Sequence, residues 1–249
     1  MKETKILKSK SEEFAFLAAH QLKTPLTAIR WYVGELENAG EEMLSREQKN
    51  ILKELRATVV QMSDMLNSLL QIGRIRSGRL NVQPAPLDIA DFCKNIILEM
   101  EPVLKEKKVT VDFNTEPATL PLVKMDKELF RHVLWNLLSN SVSYSSKGSE
   151  VKVSVKQKDG VMEVSVKDQG IGIPQTEQKK IFQEFFRAKN ASRLQPKGTG
   201  LGLALVKYIV EHWKGKIGFK SQENKGTTFY FTIPVKGIKP KKGEVGLEV

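Results

Sequence analysis

Two apolar heptad patterns fill most of the first eighty residues and limit the possible fold more than any other feature. The first pattern has apolar residues spaced four, three, four and three, at Leu22, Leu26, Ile29, Val33 and Leu36. The second follows the same rule at Leu52, Leu55, Val59, Met62, Leu66 and Leu69. Such spacing predicts two amphipathic helices, and Asn38-Ala39-Gly40 between them carries helix-stop signals. Two helices alone cannot bury the whole line of these apolar residues, which we call the seam. We therefore predict that two antiparallel hairpins dimerise into a four-helix bundle.

The rest of the chain alternates between helical and strand patterns. Pro84 and Pro86 mark a linker near residues 77 to 87, and Asp159-Gly160 is a hairpin turn signal. The patterns predict one mixed sheet with helices on one face, an α+β domain. We predict three parts: a helical domain at 1–80, an α/β domain at 81–235, and a basic tail at 236–249 that we expect to be disordered.

Two aspartates stand where a helix would begin. Asp88 precedes a segment that we expect to be helical through about Lys105, and Asp126 precedes one that we expect to end near Ser143. Aspartate is favoured at this position because its side chain accepts hydrogen bonds from the first free backbone amides.

The composition of the chain indicates in which compartment it works and which kinds of partner it binds. With 40 Lys and Arg against 29 Asp and Glu, the net charge is +11, which favours anionic partners. No basic stripe is interleaved with aromatic residues, so we expect no nucleic-acid partner. Cys93 is the single cysteine, which fits a reducing compartment. Apolar runs are far shorter than the ~20 residues of a membrane span. We therefore expect a cytoplasmic segment without membrane contact, although a longer protein containing it can be membrane-anchored.

Two glycine clusters flank a loop of about 25 residues, at about 171 to 198. Glycine lets backbone amides approach an anion, and the second cluster leads into a segment with helical periodicity, whose N-terminus favours phosphate. A loop this long within a compact domain usually serves as a lid or a binding segment. The pattern indicates a phosphate site, with two glycine turns around a flexible insertion as the alternative. The glycines are Gly170 and Gly172 in the first cluster, and Gly198, Gly200 and Gly202 in the second.

Asn136 and Asn140 are four residues apart in a predicted helix and therefore share one face. Neutral amide oxygens on one face can hold Mg²⁺ together with phosphate oxygens. The alternative is that both amides simply lie on a solvated face.

Together these segments resemble the ordered motifs of the sensor histidine kinases of two-component signalling. The matching boxes are Asn136 to Tyr144, Asp168 to Pro174, Phe182 to Arg187, Gly198 to Leu203 and Gly226 to Phe229. The segment from Phe14 to Thr27, which contains His20, resembles the phosphoacceptor box of the same family. The resemblance covers about residues 10 to 234. It implies a dimeric helical bundle followed by the α/β sandwich of the Bergerat-type ATP-binding fold.

The resemblance also implies an activity. His20 would be phosphorylated by Mg-ATP, and the phosphoryl group would pass to an aspartate on the receiver domain of a response regulator. The heptad places His20 and Thr24 at positions b and f, away from the seam and one turn apart. Thr24 is similar to the residue that positions water for dephosphorylating the partner.

Further roles follow from the resemblance, position by position. Asn136 and Asn140 are similar to the magnesium-holding pair, Tyr144 to the aromatic residue near the nucleotide, and Asp168 to the acceptor for the adenine amino group. Arg187 is similar to the cation near the transferring phosphate. The hinges and phosphate-facing turns of the lid would be Gly170, Gly172, Gly198, Gly200, Leu201 and Gly202. We expect Phe182, Phe185 and Phe186 to anchor the lid in the core.

Two positions depart from the family pattern. Gln21 follows His20, where Glu or Asp usually takes the proton from the far ring nitrogen, and an amide cannot serve as that base. Ser143 occupies the place of a common lysine. Gln21 keeps open a catalytically weak nucleotide-binding scaffold or a phosphatase-biased member. A chaperone- or mismatch-repair-like ATPase is disfavoured, because those proteins carry glutamate where this chain has Asn136.

Overall fold

The structure, a computed structural model, describes residues 22–36 and 44–240. The chain divides into two compact units, Met1–Ser77 and Gly78–Val249. His20, Gln21 and the turn predicted at residues 38 to 40 lie outside the described residues.

The first unit contains two helices, α1 (22–36) and α2 (Arg46–Arg76). Ser45 begins α2 with a reciprocal cap, in which its hydroxyl accepts from the amide of Gln48 and its own amide donates to the Gln48 side chain. Leu26 of α1 joins a buried cluster on α2 formed by Val59, Leu66 and Leu70. The two predicted helices are therefore confirmed as a packed hairpin.

Part of the predicted seam stays uncovered in the single chain. Leu22, Ile29 and Leu36 on α1 are 55%, 44% and 56% exposed, and Leu55 and Met62 on α2 are 44% and 49% exposed. These residues form an apolar face that a second hairpin can cover, as expected for a four-helix bundle.

The second unit alternates strands and helices along the chain. The elements are β1 (Ala85–Leu87), α3 (Ile89–Glu99), α4 (Glu101–Lys107), β2 (Thr110–Glu116), β3 (Val123–Met125), α5 (Lys127–Tyr144), β4 (Glu150–Lys158), β5 (Val161–Lys167), a 3₁₀ turn (Gln178–Lys180), α6 (Lys189–Leu194), α7 (Gly202–His212), β6 (Ile217–Gln222) and β7 (Gly226–Pro234).

The main sheet has five strands in the order β2-β4-β5-β7-β6, with β2 and β4 parallel and every other pair antiparallel. Along β4, Val151, Val153 and Val155 are fully buried while Lys152 and Lys156 are exposed. The buried face packs against α3, α5 and α7. The predicted mixed sheet with helices on one face is confirmed.

Both predicted helix caps are present. Asp88 accepts from the amide of Asp91, and Asp126 accepts from the amides of Glu128 and Leu129. The first helix is shorter than expected, since α3 ends at Glu99 and α4 begins at Glu101. Pro102 explains the break, because proline is tolerated in the first turn of a helix but not in its interior.

Two expectations about the edges of this unit are only partly right. The boundary between the units falls at Ser77 and Gly78, where the predicted linker begins, but the end of that segment contains β1, which pairs antiparallel with β3. Leu80 and Val82 within it are buried. The start of the basic tail is also ordered, because the amide of Ile238 donates to the carbonyl of Lys124 at 2.8 Å and Ile238 is buried. The expectation of disorder therefore fails for residues 236–240.

None of the helices within the described ranges has the length and apolar character that a membrane span requires.

Candidate functional site

The predicted asparagine helix and the second glycine cluster meet. Gly202 begins α7 directly against Asn136, and a Cβ on Gly202 would collide with Oδ1 of that asparagine. Nδ2 of Asn136 donates to the carbonyl of His132 at 2.8 Å, which turns Oδ1 toward α7. No side chain caps the start of α7. Its first backbone amides are therefore available to an anion.

The other members of the two clusters surround this point. Asn140 lies one turn beyond Asn136 on the same face of α5 and is partly buried. Leu201, at the N-cap position of α7, is fully buried, and Gly200 next to it has a φ of +72°.

Tyr144 ends α5 and ties it to the first glycine cluster. Its carbonyl accepts from the amide of Ile171 at 3.2 Å. Gly170 passes so close to the same carbonyl that no larger residue fits. The helix end and the glycine segment are thus held at a fixed separation.

Asp168 is a buried carboxylate with three donors around it. Oδ1 accepts from the amides of Gly170 at 2.9 Å and Thr227 at 3.0 Å, and Oδ2 accepts from the hydroxyl of Ser141 at 3.4 Å. Burial raises the pKa of Asp168 above its ordinary value, and the three hydrogen bonds partly oppose this rise. The carboxylate is rigidly held and nearly closed to solvent, with 5% of its surface exposed.

The loop at residues 171 to 198, called the lid below, is attached to the β-hairpin of β6 and β7. The amide of Ile173 donates to the hydroxyl of Ser221 at 2.9 Å, and the amide of Asn224 donates to the carbonyl of Ile171 at 2.8 Å. Within the lid, Asn190 donates to the carbonyl of Gly172 at 3.0 Å. The loop predicted at 171 to 198 is therefore partly structured, by these bonds and by α6.

Arg187 holds the lid in shape. Its guanidinium donates to the carbonyls of Pro196 at 2.9 Å, Gly198 at 3.2 Å and Ala191 at 3.3 Å, and also to that of Gln195. The structure thus places this predicted phosphate-facing cation within a network of lid carbonyls, while its role toward phosphate stays a prediction.

The three phenylalanines of the lid differ. Phe182 packs edge-on against Phe219 and Phe229, with ring centroids 5.9 and 6.5 Å away. Phe186 is partly buried. Phe185 is 54% exposed and has a left-handed φ of 62°. Anchoring in the core is therefore right for Phe182 and wrong for Phe185.

Sequence reasoning missed two polar residues around Asp168. Ser141 and Thr227 are 27 and 59 residues from Asp168, and no spacing rule connects them to it. His132, one turn before Asn136 on α5, contributes its backbone carbonyl to the site as the acceptor for Nδ2 of Asn136. Burial lowers the pKa of His132, with Glu128 acting in the opposite direction.

In the first unit, the helical hairpin of α1 and α2 carries a groove of about 480 Å³ between its two helices. Lys23, Arg30 and Trp31 of α1 line one side, and Leu66 and Asn67 of α2 line the other. Trp31 is 60% exposed and contacts Tyr32 edge-on. Thr24, the predicted phosphatase residue, is exposed on α1.

Two families match this chain in order. Residues 10–78 match the His Kinase A (phospho-acceptor) domain, and residues 125–237 match the histidine kinase-, DNA gyrase B-, and HSP90-like ATPase. Sensor histidine kinase WalK of Bacillus subtilis (strain 168) is 34% identical over 90% of this chain and 36% of WalK. Aerobic respiration control sensor protein ArcB of Escherichia coli (strain K12) is 33% identical over 88% of this chain and 28% of ArcB. The chain thus spans about a third of these relatives.

Among solved structures, full-length ShkA in complex with AMPPNP superimposes with a TM-score of 0.74. The two are 25% identical, and the match covers 92% of this chain and 47% of ShkA. The likeness extends over both units of the chain.

Proposed function

The chain belongs to the sensor histidine kinases of two-component signalling, and on that premise we propose that it moves the γ-phosphoryl group of ATP to His20 and then to a response-regulator aspartate. The observation that carries this proposal is that α5 meets the start of α7 at Asn136 and meets the glycine segment after Asp168 at Tyr144, within one unit. The described helices α1 and α2 lie within the segment that matches a phospho-acceptor domain.

The ATPase unit would bind the nucleotide by both ends. Oδ2 of Asp168 would accept from the 6-amino group of adenine, with Tyr144 beside the nucleotide. The backbone amides at Gly200 and Gly202 would meet the phosphates, because a helix N-terminus and glycine turns favour anions. The amide of Leu201 would join them by giving up its 3.3 Å bond to the hydroxyl of Thr199. Binding of AMPPNP, an ATP analogue, by ShkA supports ATP as the ligand.

The residues present fit a magnesium ion. The side-chain oxygens of Asn136 and Asn140 are neutral oxygen donors one turn apart, a type of ligand that Mg²⁺ accepts alongside phosphate oxygens and water. The bond from Nδ2 of Asn136 to His132 leaves Oδ1 of Asn136 directed toward the start of α7, where the phosphates would lie. When bound, the ion would neutralise phosphate charge.

Phosphoryl transfer asks mainly for positioning and charge neutralisation. Imidazole is neutral in much of its population near pH 7, so a ring nitrogen of His20 can attack the γ-phosphorus. An N–P bond forms, the bond from the γ-phosphorus to the bridging oxygen breaks, and ADP leaves. The proton on the other ring nitrogen must go to water or a carboxylate, since Gln21 cannot take it.

The hairpin would supply the two protein contacts of the pathway. The apolar face with Leu22, Ile29 and Leu55 would pair with a second copy, because it is exposed in one chain. The receiver domain would lie along the groove with Lys23 and Arg30, whose positive charge complements the acidic site that holds its phosphoacceptor aspartate.

The experiment that tests this function is labelling with γ-³²P-ATP and Mg²⁺. Label should be acid-labile and alkali-stable, as expected for a phosphoramidate, and should disappear in His20→Ala. The matched control is His212→Ala, which removes a histidine at the end of α7 and should keep the label. Label that persists without His20 contradicts the assignment of the acceptor.

A second candidate is a nucleotide-binding member biased toward phosphatase activity. Gln21 favours it, because the usual proton acceptor is replaced by an amide. In that case the chain would bind ATP, label poorly, and dephosphorylate a phosphorylated receiver domain in a reaction that depends on Thr24. The same labelling assay with Gln21→Glu separates the two candidates, since a large gain shows that the missing base limits the kinase reaction.

A further inference from the structure

Ser141 contacts the carboxylate of Asp168 and has no role in the site as described so far. The residue is 1% exposed, and its hydroxyl donates to Oδ2 of Asp168 at 3.4 Å. It lies directly after Asn140 on α5, so it connects the asparagine helix with the segment that follows β5.

The two oxygens of Asp168 have different surroundings. Oδ1 accepts from two backbone amides, those of Gly170 and Thr227, which occupies both of its lone pairs. Oδ2 accepts from Ser141 alone among the described residues, which leaves one lone pair available. This free lone pair of Oδ2 can accept a hydrogen bond from the nucleobase.

We infer that Ser141 is a positioning residue for base recognition, whose hydroxyl holds Oδ2 of Asp168 ionised and aimed at the 6-amino group of adenine. The inference rests on the proposed function, because it takes Asp168 as the group that reads the base. It adds a residue on α5 that acts on the nucleotide only through Asp168.

The charge state of Asp168 gives Ser141 its effect on specificity. An ionised carboxylate only accepts hydrogen bonds, so it pairs with the amino group of adenine and repels the carbonyl oxygen that guanine carries at the same place. A protonated carboxyl could donate to that carbonyl and would lose the distinction. Burial favours the protonated form of Asp168, and the hydroxyl of Ser141 favours the ionised form.

The position of Ser141 supports a specific use of its hydroxyl. Serine in a helix has a lower propensity than alanine, and its hydroxyl commonly bonds to a carbonyl one turn earlier. Ser139 bonds within α5 in this way, to the carbonyl of Asn136 at 3.2 Å. Ser141 instead points out of its own helix to a carboxylate. The 3.4 Å separation is long for a hydroxyl donor, and such bonds often shorten when ligand is bound.

The test compares ATP with purine-riboside triphosphate, which lacks the 6-amino group. Equilibrium dissociation constants of the full chain are measured by titration calorimetry with Mg²⁺, for the parent protein, Ser141→Ala and Ser139→Ala. We expect Ser141→Ala to weaken ATP binding by about three- to tenfold and to change binding of the amino-free analogue by less than about twofold. Ser139→Ala should change neither.

Each outcome decides the inference. Equal weakening for both nucleotides would show that Ser141 supports the fold of the site rather than the reading of the base, and overturns the proposal. Unchanged ATP affinity in Ser141→Ala overturns it as well, while leaving the proposed function intact. A parent protein that binds neither nucleotide removes the proposed function and this inference together. Unaltered affinity for the amino-free analogue also shows that the variant is folded.

Discussion

Asp168 has an acid-base property that works against the stability of the empty protein. Burial raises its pKa above the ordinary 3.8. A carboxyl that binds its proton more tightly in the folded state contributes stability below its unfolded pKa, and this contribution is lost as pH rises through the folded pKa. At neutral pH the ionised group therefore lowers the free energy of unfolding. Its presence is explained by the ligand rather than by the fold.

This property predicts opposite effects of Asp168→Asn on binding and on stability. The amide oxygen can still accept from the backbone amides of Gly170 and Thr227, but the negative charge is lost. We expect ATP affinity at pH 7.5 to fall by about 10- to 100-fold, because a hydrogen bond to a charged acceptor is removed. We expect the melting temperature of the empty protein not to fall. We also expect the stability that the parent chain gains as the pH is lowered through the raised pKa of Asp168 toward 3.8 to be smaller in the variant.

Titration calorimetry and thermal unfolding measure the two effects. The control is Asp159→Asn, the same chemical change at an exposed residue in the turn between β4 and β5. A clear loss of melting temperature in Asp168→Asn at pH 8 would mean that the carboxylate supports the empty fold, contrary to this argument.

At the scale of single elements, α5 is the helix on which the site depends. It carries Asn136, Asn140 and Ser141, and its start is fixed by Asp126. One oxygen of Asp126 accepts from the amides of Glu128 and Leu129, and the other accepts from the amide of Gln83 at 2.9 Å. The cap therefore also holds the segment that precedes β1.

We predict that Asp126→Ala destabilises the ATPase unit by about 2 to 3 kcal/mol. The change removes the cap and also leaves the amide of Gln83 without its acceptor. Asp88→Ala, which removes the cap of α3, should cost about 1 kcal/mol. Both are measured by urea unfolding followed by tryptophan fluorescence in a Trp31→Phe background, so that Trp135 and Trp213 report on this unit. Equal losses in the two variants would contradict a double role for Asp126.

The sequence was sufficient for elements whose signal is local. Asp88 and Asp126 precede apolar periodicity, and the strands around Asp159-Gly160 alternate long enough to be recognised. The strand pattern at Leu120 to Met125 covers β3, but its partner β1 was missed because it has only three residues, too few for an alternation, and because Pro84 and Pro86 suggested a linker. The bond between Ser141 and Asp168 was missed for a related reason, since a contact between distant segments exists only after the sheet has formed.

At the scale of the whole molecule, the uncovered face of the hairpin points to a second copy of the chain. A monomer would leave Ile29, Leu55 and Met62 in water, together with the apolar residues at both ends of α1. Burying such area is the main driving force for association between helices of this kind.

We predict that Ile29→Glu converts a dimer into a monomer. Ile29 is 44% exposed in the single chain and lies on the seam, so a glutamate there would bring an unpaired charge into the bundle. The dimer dissociation constant should rise by at least about 100-fold, as measured by sedimentation equilibrium. Lys53→Glu is the matched control, because Lys53 is exposed at heptad position b of α2 and should leave the dimer intact. A parent chain that sediments as a monomer would contradict the bundle.

The contact between Ile238 and Lys124 has a consequence for how the ATPase unit can be rearranged. Lys124 lies in β3 between Pro86 of β1 on one side and Ile238 on the other. With neighbouring strands about 4.8 Å apart, the first strand of the unit and the segment around Ile238 are separated by about 10 Å. The first strand and the last described segment of the unit therefore lie side by side. We therefore expect that a circular permutant of the unit, with these two neighbouring segments joined by a short loop, would keep its nucleotide site.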